Sequence, residues 1–244
     1  MLRHFRTALG FLTIFPVSPS DIHSEDLGEA VKYFPLVGVV YGCVLWGVLW
    51  CFSRLFSMNI AAWLTTFIGA ALNGLIHWDG FADTADGLGS RDPQKSLLIM
   101  KDSRLGAFGA IALGFLIFGK VSTIAAILPA GICTAIIIFS LSRWVMALQI
   151  CTQPWVSQGL LQSFTMRRKS QDLVIATFFV AAIIIWGWWS HAPYIWILLP
   201  VILLFTALLN WLIKRRFGGI TGDILGASNE LIELIGLLIL NIKQ

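Results

Sequence analysis

Long apolar stretches, separated by short polar segments, dominate the pattern along the chain. About 20 apolar residues are enough for one helix to cross a bilayer, and the sequence contains about seven stretches of this length. The predicted spans cover residues 35–56, 59–78, 106–127, 130–150, 172–190, 193–213 and 223–242. The pattern therefore predicts an all-α, polytopic bundle of transmembrane helices, in one integral membrane domain over residues 1–244.

The segments between the predicted spans refine this picture. The third and fourth spans meet around Pro129, and the fifth and sixth meet at residues 190–192, so each pair is predicted to form a helical hairpin. The opening stretch, MLRHFRTALGFLTIFPVSPS, is basic and ends early at Pro16 and Pro19. It predicts a short helix at the cytoplasmic interface of the membrane rather than a span.

The composition agrees with a protein that is surrounded by lipid. Hydrophobic residues make up 57% of the chain, charged residues only 12%, and the mean hydropathy is +0.82. A soluble globular domain has about a quarter charged residues. No basic patch with interleaved aromatic residues is present, so the lipid bilayer is an expected partner and nucleic acid is not.

The basic residues predict the orientation, because Lys and Arg concentrate on the cytoplasmic side. With the N-terminus inside, most of the 17 Lys and Arg residues fall in inner segments, and the outer side has Arg54 and Lys243. The inner residues are Arg3, Arg6, Lys32, Arg91, Lys95, Lys101, Arg104, Arg167, Arg168, Lys169, Lys214, Arg215 and Arg216. The N-terminus is therefore predicted to be cytoplasmic.

Three aspartates follow the second predicted span, in the segment DGFADTADG. Asp79, Asp83 and Asp86 are spaced by four and three residues, which places them on one face of a helix. Carboxylates this close repel one another, and a bound cation relieves the repulsion. Oxygen ligands without His or Cys favour a hard ion, Mg²⁺ or Mn²⁺, which also binds phosphate oxygens. The segment therefore predicts a metal site for a diphosphate; the alternative is a solvated helix end.

A second polar motif, KDSR, precedes the third predicted span. Asp102 or Ser103 can cap that helix, and the N–H groups at the helix start can then bind an anion. Lys101 and Arg104 add charge-assisted hydrogen bonds to phosphate. The alternative is that both basic residues only anchor the span at the interface. Beside the aspartates, phosphate binding is the favoured interpretation.

A third motif, GGITGDILGASNE, opens the last predicted span. Asp223 and Glu230 are seven residues apart and share a helix face, and carboxylates within a span usually face a cavity or a partner. They either complete the metal site or bind substrate hydroxyls; the alternative is a face for helix packing. Arg143 within the fourth span needs a partner, such as Asp223, Glu230 or a phosphate. Lys120 is expected to extend its amine towards the interface.

These motifs resemble one known family. HWDGFADTADGLGSRD, IMKDSRLGAFGAIAL and GGITGDILGASNE are similar, in this order, to the polar motifs of the cobalamin synthase family, the adenosylcobinamide-GDP ribazoletransferases. The opening ALGFLTIFPV is similar too, so the resemblance covers almost the whole chain. Phe81 and Leu105 stand where the family most often has Leu and Ile, and neither change affects a polar group.

The resemblance implies a reaction in the last stages of cobalamin biosynthesis, in the bacterial inner membrane with the active site on its cytoplasmic side. Such an enzyme joins adenosylcobinamide-GDP to α-ribazole or its 5′-phosphate, with Mg²⁺ as cofactor. It forms adenosylcobalamin or its 5′-phosphate and releases GMP. A homo-oligomer, or an assembly with other enzymes of the pathway, is the partnership that this context suggests.

The chemistry of the motifs, together with this resemblance, gives candidate roles to their residues and to Arg143. The expected metal ligands are Asp79, Asp83 and Asp86. The residues expected at the catalytic centre are Asp83, Asp86, Lys101, Arg104 and Asp223. The residues expected to bind the substrate and its cofactor are Asp102, Ser103, Arg143, Thr221 and Glu230. One carboxylate is expected to accept the proton of the attacking hydroxyl, and which one is left open.

Two other interpretations compete with this one. The CDP-alcohol phosphotransferases also use aspartates of a membrane helix, with a signature that begins D-G-x-x-A-R and ends G-x-x-x-D-x-x-x-D. Here Asp83 and Thr84 replace its Ala and Arg, and the second half is absent. An ion or solute transporter is the other alternative. Transport sites usually lie near the membrane midplane, whereas most of the acids here lie at the predicted inner boundary.

Overall fold

The computed structural model of the protein describes residues 1–156, 170–192 and 194–242, except for the side chains of Ser24 and Glu25. Over these residues all regular secondary structure is helical, apart from one isolated bridge between Trp155 and Ile220. The predicted all-α fold is thereby confirmed.

The helices follow the apolar stretches of the sequence. They are α1 Leu2–Leu12, α2 Ser24–Ala30, α3 Phe34–Leu55, α4 Met58–Leu72, α5 Ile76–Leu88, α6 Pro93–Ile99, α7 Ala107–Thr123, α8 Ile127–Thr152, α9 Ser170–Trp189, α10 Ile195–Phe217 and α11 Gly222–Ile239. Two of these helices have a side chain that caps their N-terminus. The Asp92 carboxylate accepts a hydrogen bond from the Gln94 N–H at the start of α6, and the Thr221 hydroxyl accepts one from the Ile224 N–H at the start of α11.

The core of the molecule centres on α8, in which every residue from 134 to 147 is buried. Helix α3 packs along α8 through two glycines that are four residues apart. A Cβ atom at Gly38 would lie 2.3 Å from the carbonyl oxygen of Phe139, and one at Gly42 would lie 2.9 Å from the Cα atom of Ile136. Small residues with this spacing let two helix backbones approach closely, which is a common way to pack helices in lipid.

The second predicted span, 59–78, is interrupted before its end. Helix α4 stops at Leu72, and α5 begins at Ile76 after a bend of 89°. Gly74 and Leu75 between them have φ angles of +62° and +63°, in the left-handed region that ends a helix. The hydropathy pattern continues through the bend, and for this reason the predicted span extends too far.

Four helical segments in the described part of the chain are long and apolar enough to cross a membrane. They are Asp26–Leu55, Ala107–Thr152, Ser170–Trp189 and Ile195–Phe217, and the bent pair α4 and α5 makes a fifth if it counts as one span. The chain is thus an all-helical membrane protein. The count of seven spans and the cytoplasmic N-terminus stay predictions, and Arg167, Arg168, Lys169 and Lys243 lie outside the described residues.

The segment Ala107–Thr152 is not one straight helix. Its 46 residues would extend about 69 Å at 1.5 Å per residue, more than twice the thickness of a hydrocarbon core. Side-chain contacts show that α7 runs in the same direction as α11 and that α8 runs in the opposite direction. The contacts are Lys120–Glu230 and Thr123–Asn241 for α7, and Ile138–Gly236 and Gln149–Ser228 for α8. The chain therefore reverses near Gly131, whose φ is +84°, as the predicted hairpin requires.

The N-terminal helix forms where the sequence predicts it. Thr7, Ala8 and Leu12 of α1 are buried, and the Phe11 ring stacks on Phe34 with 6.2 Å between centroids. Arg3 donates to the Asp26 carboxylate, with 2.8 Å from Nη2 to Oδ2. Helix α1 is thus fixed to the start of α3, and its place at the membrane interface stays a prediction.

Candidate active site

Helices α5 and α11 cross closely, and this crossing brings two of the sequence motifs together. A Cβ atom at Gly80 would lie 2.6 Å from the Cα atom of Asp223, and one at Gly226 would lie 3.0 Å from the Cα atom of His77. Only glycine allows such a close approach of two backbones. The aspartates of α5 and the start of α11 therefore belong to one region, although about 140 residues separate them in the chain.

The crossing gathers three carboxylates, Asp79, Asp83 and Asp223, which we call the acid cluster. Asp79 is exposed, and Asp83 and Asp223 are half-buried. Asp83 is repelled by Asp79 and Asp223, and Asp223 is repelled by Asp79. None of the three forms an ion pair with another described residue. The cluster is therefore a region of uncompensated negative charge that reaches the surface of the protein at Asp79.

The chemistry of the acid cluster suits a hard cation. Its donors are all carboxylate oxygens, the ligands that Mg²⁺ and Mn²⁺ prefer. Among the described residues, however, no three His, Cys, Asp or Glu side chains are close enough to hold a metal ion by themselves. Mg²⁺ commonly uses only one or two protein carboxylates and completes its shell with water and substrate phosphates. The residues present thus fit a cation that binds together with a diphosphate.

The Asp86 carboxylate does not join the acid cluster and contacts the start of α7 instead. Its two oxygens accept hydrogen bonds from the backbone N–H groups of Gly106 and Gly109, each at 2.8 Å. Asp86 is buried and caps α7 from a neighbouring helix. The expectation that Asp102 or Ser103 would cap this helix is therefore wrong. A role for Asp86 as a metal ligand stays a prediction, and its role as a cap is visible in the structure.

The KDSR motif lies in the loop that leads into α7, two residues before the capped end. Lys101, Ser103 and Arg104 are exposed, and Asp102 is half-buried. Arg104 donates to Asp102, with 2.6 Å from Nη2 to Oδ2, and this contact lowers the pKa of Asp102 to about 2. Because Asp86 on α5 caps α7 at Gly106, the loop is held beside the helix that carries Asp79 and Asp83. Its role in phosphate binding stays a prediction.

Four charged side chains form a second cluster inside the bundle, which we call the buried ion network: Lys120, Arg143, Glu230 and Glu233. Lys120 pairs with Glu230 and with Glu233, at 2.6 Å from Nζ to Glu233 Oε2, and Arg143 pairs with Glu233. All four side chains are at least nine-tenths buried. Two cations face two carboxylates, so the network balances its own charge. The expectation that Lys120 extends to the interface is wrong.

Further contacts surround the buried ion network. The Arg143 guanidinium lies 4.0 Å from the centre of the Tyr41 ring, a cation–π contact. Trp78 Nε1 donates to Glu230 at 3.1 Å, and Asn229 Nδ2 donates to Glu233 at 3.0 Å. Arg143 and Glu230 were expected to bind substrate. That role stays a prediction, and their contacts join α5, α7, α8 and α11 around the site.

Two basic residues have contacts that the sequence reasoning did not assign to them. Arg216, which counted only towards the orientation, donates to the backbone carbonyls of Leu88 and Ser90, at 2.9 and 2.6 Å. It thereby fixes the end of α10 to the end of α5. For Lys120 the sequence does contain a signal. A lysine within a span needs a partner just as an arginine does, and Glu230 and Glu233 are about one helical turn apart.

Comparisons with known proteins agree on one family. The family model described as cobalamin-5-phosphate synthase matches residues 4–241. Proteins named adenosylcobinamide-GDP ribazoletransferase are similar over nearly their whole length. That of Vibrio cholerae is 34% identical over 98% of this chain and 93% of its own. That of Desulforamulus reducens is 36% identical, with 96% and 94% covered. No solved structure matches the chain.

Proposed function

Because the chain belongs to the cobalamin-5-phosphate synthase family, we propose that it is a transferase that joins adenosylcobinamide-GDP to α-ribazole or its 5′-phosphate. The products are adenosylcobalamin, or its 5′-phosphate, and GMP. The observation that carries the proposal is the acid cluster, in which two motifs far apart in the chain meet at one helix crossing. A family match over almost the whole chain accompanies it.

The reaction exchanges the phosphoanhydride bond of a diphosphate for a phosphodiester bond. A ribose hydroxyl oxygen of α-ribazole forms a bond to the phosphorus that carries cobinamide. The bond from this phosphorus to the bridging oxygen breaks, and the electron pair leaves with GMP. The hydroxyl proton passes to a carboxylate, for which Asp83 and Asp223 are the candidates because both are half-buried members of the acid cluster. Negative charge spreads over the phosphate oxygens in such transfers.

Asp79 and Asp83 are the proposed holders of a divalent cation; Asp86 is the other predicted ligand, and Asp223 is the alternative to it. The donor set supports this role, because the carboxylates of Asp79 and Asp83 repel each other and gain stability from a hard cation. When bound, Mg²⁺ or Mn²⁺ supplies positive charge to the diphosphate oxygens and the departing phosphate.

The residues of the α7 loop are proposed to bind the diphosphate. Lys101 and Arg104 are exposed cations close in sequence to the end of α7 that Asp86 fixes. Arg104 already forms a forked contact with Asp102 through Nε and Nη2, and its Nη1 can donate to a phosphate. Asp102 then restricts the rotation of the Arg104 side chain, and Ser103 adds a hydroxyl donor. Thr221 keeps the start of α11, and with it Asp223, in place.

The proposed location is the inner membrane of a bacterium, with the acid cluster on the cytoplasmic side. The apolar helical segments support a multi-pass membrane enzyme. The basic residues at the end of α10 support the side, because Arg216 contacts the end of α5 that carries the aspartates. Oligomers, or an assembly with other enzymes of the pathway, stay predictions.

The proposal is tested with purified protein in liposomes. We expect GMP release to require adenosylcobinamide-GDP, α-ribazole and Mg²⁺ together, with adenosylcobalamin formed in equal amount by mass spectrometry. Omission of α-ribazole is the control for simple hydrolysis. GMP release that does not depend on α-ribazole, or substrate uptake into the liposomes without any product, would contradict the proposed transfer.

A further inference from the structure

A cavity lies beside the crossing of α5 and α11. Its volume is about 280 Å³, just below the range of about 300–1,000 Å³ that is typical of small-molecule sites. Phe11 of α1, Ile76 of α5, Met146 of α8 and Leu225 of α11 contribute apolar walls. This volume suits a flat aromatic group of two fused rings and is far too small for a corrinoid.

Two polar side chains, His77 and Asp223, complete the wall of this cavity. Asn229 and Asn73 face the Nδ1 atom of His77 with their amide Nδ2 atoms, at 3.2 and 3.4 Å. The Asn229 amide orientation follows from its hydrogen bond to the Glu233 carboxylate, which needs a donor. Glu230 Oε1 is farther from Nδ1, at 3.6 Å. These contacts occupy Nδ1 of His77 and leave Nε2 as the ring nitrogen that can donate to a ligand.

Asp223 connects the cavity to the reacting region. The residue lines the cavity and at the same time belongs to the acid cluster, where it is repelled by Asp79. The part of a ligand that extends out of the cavity past Asp223 thus lies beside the carboxylates of α5. A molecule with an apolar aromatic end and a hydroxylated end matches this arrangement, because the first avoids water and the second needs polar partners.

We propose that this cavity binds the aromatic base of α-ribazole and thereby directs the ribose hydroxyl towards the acid cluster. The inference rests on the proposed function and names the subsite of one of its two substrates. Phe11, Met146 and Leu225 enclose the fused rings. His77 donates its Nε2–H to the ring nitrogen of the base that carries no substituent. Asp223 lies at the ribose end, where it contacts hydroxyls.

The polar members of the wall favour this occupant over a lipid chain. A purely apolar chain would leave the His77 ring nitrogen at the cavity wall without a partner and would desolvate the Asp223 carboxylate further, which costs free energy. A nucleoside with a ring nitrogen and ribose hydroxyls supplies partners to both. An acyl chain from the bilayer is therefore the alternative occupant, and it is one of the outcomes of the test.

The test fills the cavity with larger side chains and measures KM separately for each of the two substrates. Met146→Phe and Leu225→Phe add atoms to the walls, so we expect KM for α-ribazole to rise about tenfold while KM for adenosylcobinamide-GDP is unchanged. Ala182→Phe, on the exposed surface of α9, is the matched control and should change neither constant. An equal rise of both KM values, or no rise, would overturn the assignment and leave the cavity to lipid or to packing.

An enlarging variant keeps the test decisive if the filling variants fold poorly. Met146→Ala should lower KM severalfold for an α-riboside whose base has one further fused ring, and an unchanged KM would count against the proposal.

A substrate analogue tests the role of His77. In the unsubstituted protein, an α-riboside with CH in place of the ring nitrogen should show a KM several-fold higher than α-ribazole, because it offers no acceptor to His77. An unchanged KM would contradict the hydrogen bond from His77.

Equilibrium dialysis of α-ribazole with the detergent-solubilised protein separates this inference from the proposed function. If the unsubstituted protein neither binds α-ribazole nor forms product, the proposed function fails. If it forms product while the cavity variants retain their KM for α-ribazole, only the cavity assignment fails.

Discussion

The acid cluster and the buried ion network both include carboxylates of α11. The carboxylates of the network are paired with cations, and those of the acid cluster are not. Glu230 and Glu233 are buried and paired with cations, so the network is neutral. Asp79, Asp83 and Asp223 are partly exposed, repel one another and pair with no cation of the described chain.

The difference follows from the free energy of desolvation. Unpaired charge inside a bundle costs several kcal/mol, so the chain supplies partners there. Water at an open end screens repulsion, so unpaired carboxylates can persist there and remain available to a ligand. Balanced charge thus indicates structure, and unbalanced charge at a close helix crossing indicates a binding site.

The largest expected effect comes from breaking the balance of the buried ion network. Arg143→Met leaves Lys120 to balance both Glu230 and Glu233, and we expect the free energy of unfolding to fall by about 3–5 kcal/mol. The double variant Arg143→Met, Glu233→Leu restores neutrality and should be more stable than either single variant. Thermal unfolding in detergent measures all three. Additive losses would show that the pair does not act as a unit.

The second largest effect concerns the acid cluster. Asp83→Asn should lower turnover by about 100- to 1,000-fold, because it removes one of the groups that hold and polarise the reacting phosphate. Its melting temperature in the absence of Mg²⁺ should be unchanged or higher, because a repelling charge is removed. Retained turnover at the ordinary Mg²⁺ concentration would remove Asp83 from the proposed site.

Asp86 is buried and hydrogen-bonded like the buried ion network, and it lies on the same helix as Asp79 and Asp83. Its substitution should therefore affect both stability and the Mg²⁺ requirement of turnover, each to an intermediate extent. Asp86→Ala removes both hydrogen bonds that cap α7, so we expect a loss of about 1–2 kcal/mol in the free energy of unfolding. The Mg²⁺ concentration for half-maximal turnover should rise less than in Asp83→Asn, because the Asp86 oxygens already have partners. A larger rise than in Asp83→Asn would make Asp86 the principal ligand.

The smallest effect is expected from Arg104→Ala in the α7 loop. KM for adenosylcobinamide-GDP should rise about fivefold, because one charge-assisted hydrogen bond to phosphate is lost, and KM for α-ribazole should stay the same. The exposed side chain adds little to folding, so the melting temperature should not change. Equal rises of both KM values would indicate that Arg104 only anchors the loop.

Local patterns in the sequence predicted much of the fold. The apolar stretches predicted α3, α9, α10 and α11 to within a few residues. The spacing of Asp79, Asp83 and Asp86 by four and three residues predicted a single helix, and all three lie on α5. These features depend on neighbours in the chain, which the sequence displays directly.

Features that depend on contacts between distant segments were not predictable in the same way. The bend after Leu72 depends on two residues in the left-handed region and leaves the hydropathy unchanged. The cap on α7 comes from Asp86, 20 residues upstream of Gly106, where nearby polar residues were the expected source. The partners of Lys120 lie more than 100 residues away. Only the folded bundle brings such groups together.

Counting bound Mn²⁺ by electron paramagnetic resonance tests the central claim most directly. In the presence of GDP as the diphosphate, we expect the unsubstituted protein to bind one Mn²⁺ per chain tightly. The variant Asp79→Asn, Asp83→Asn should lose this ion. The control variant Asp92→Asn should keep it, because Asp92 is an exposed carboxylate that caps α6 and lies outside the acid cluster. Tight Mn²⁺ binding that survives the double substitution would contradict a metal site at the crossing of α5 and α11.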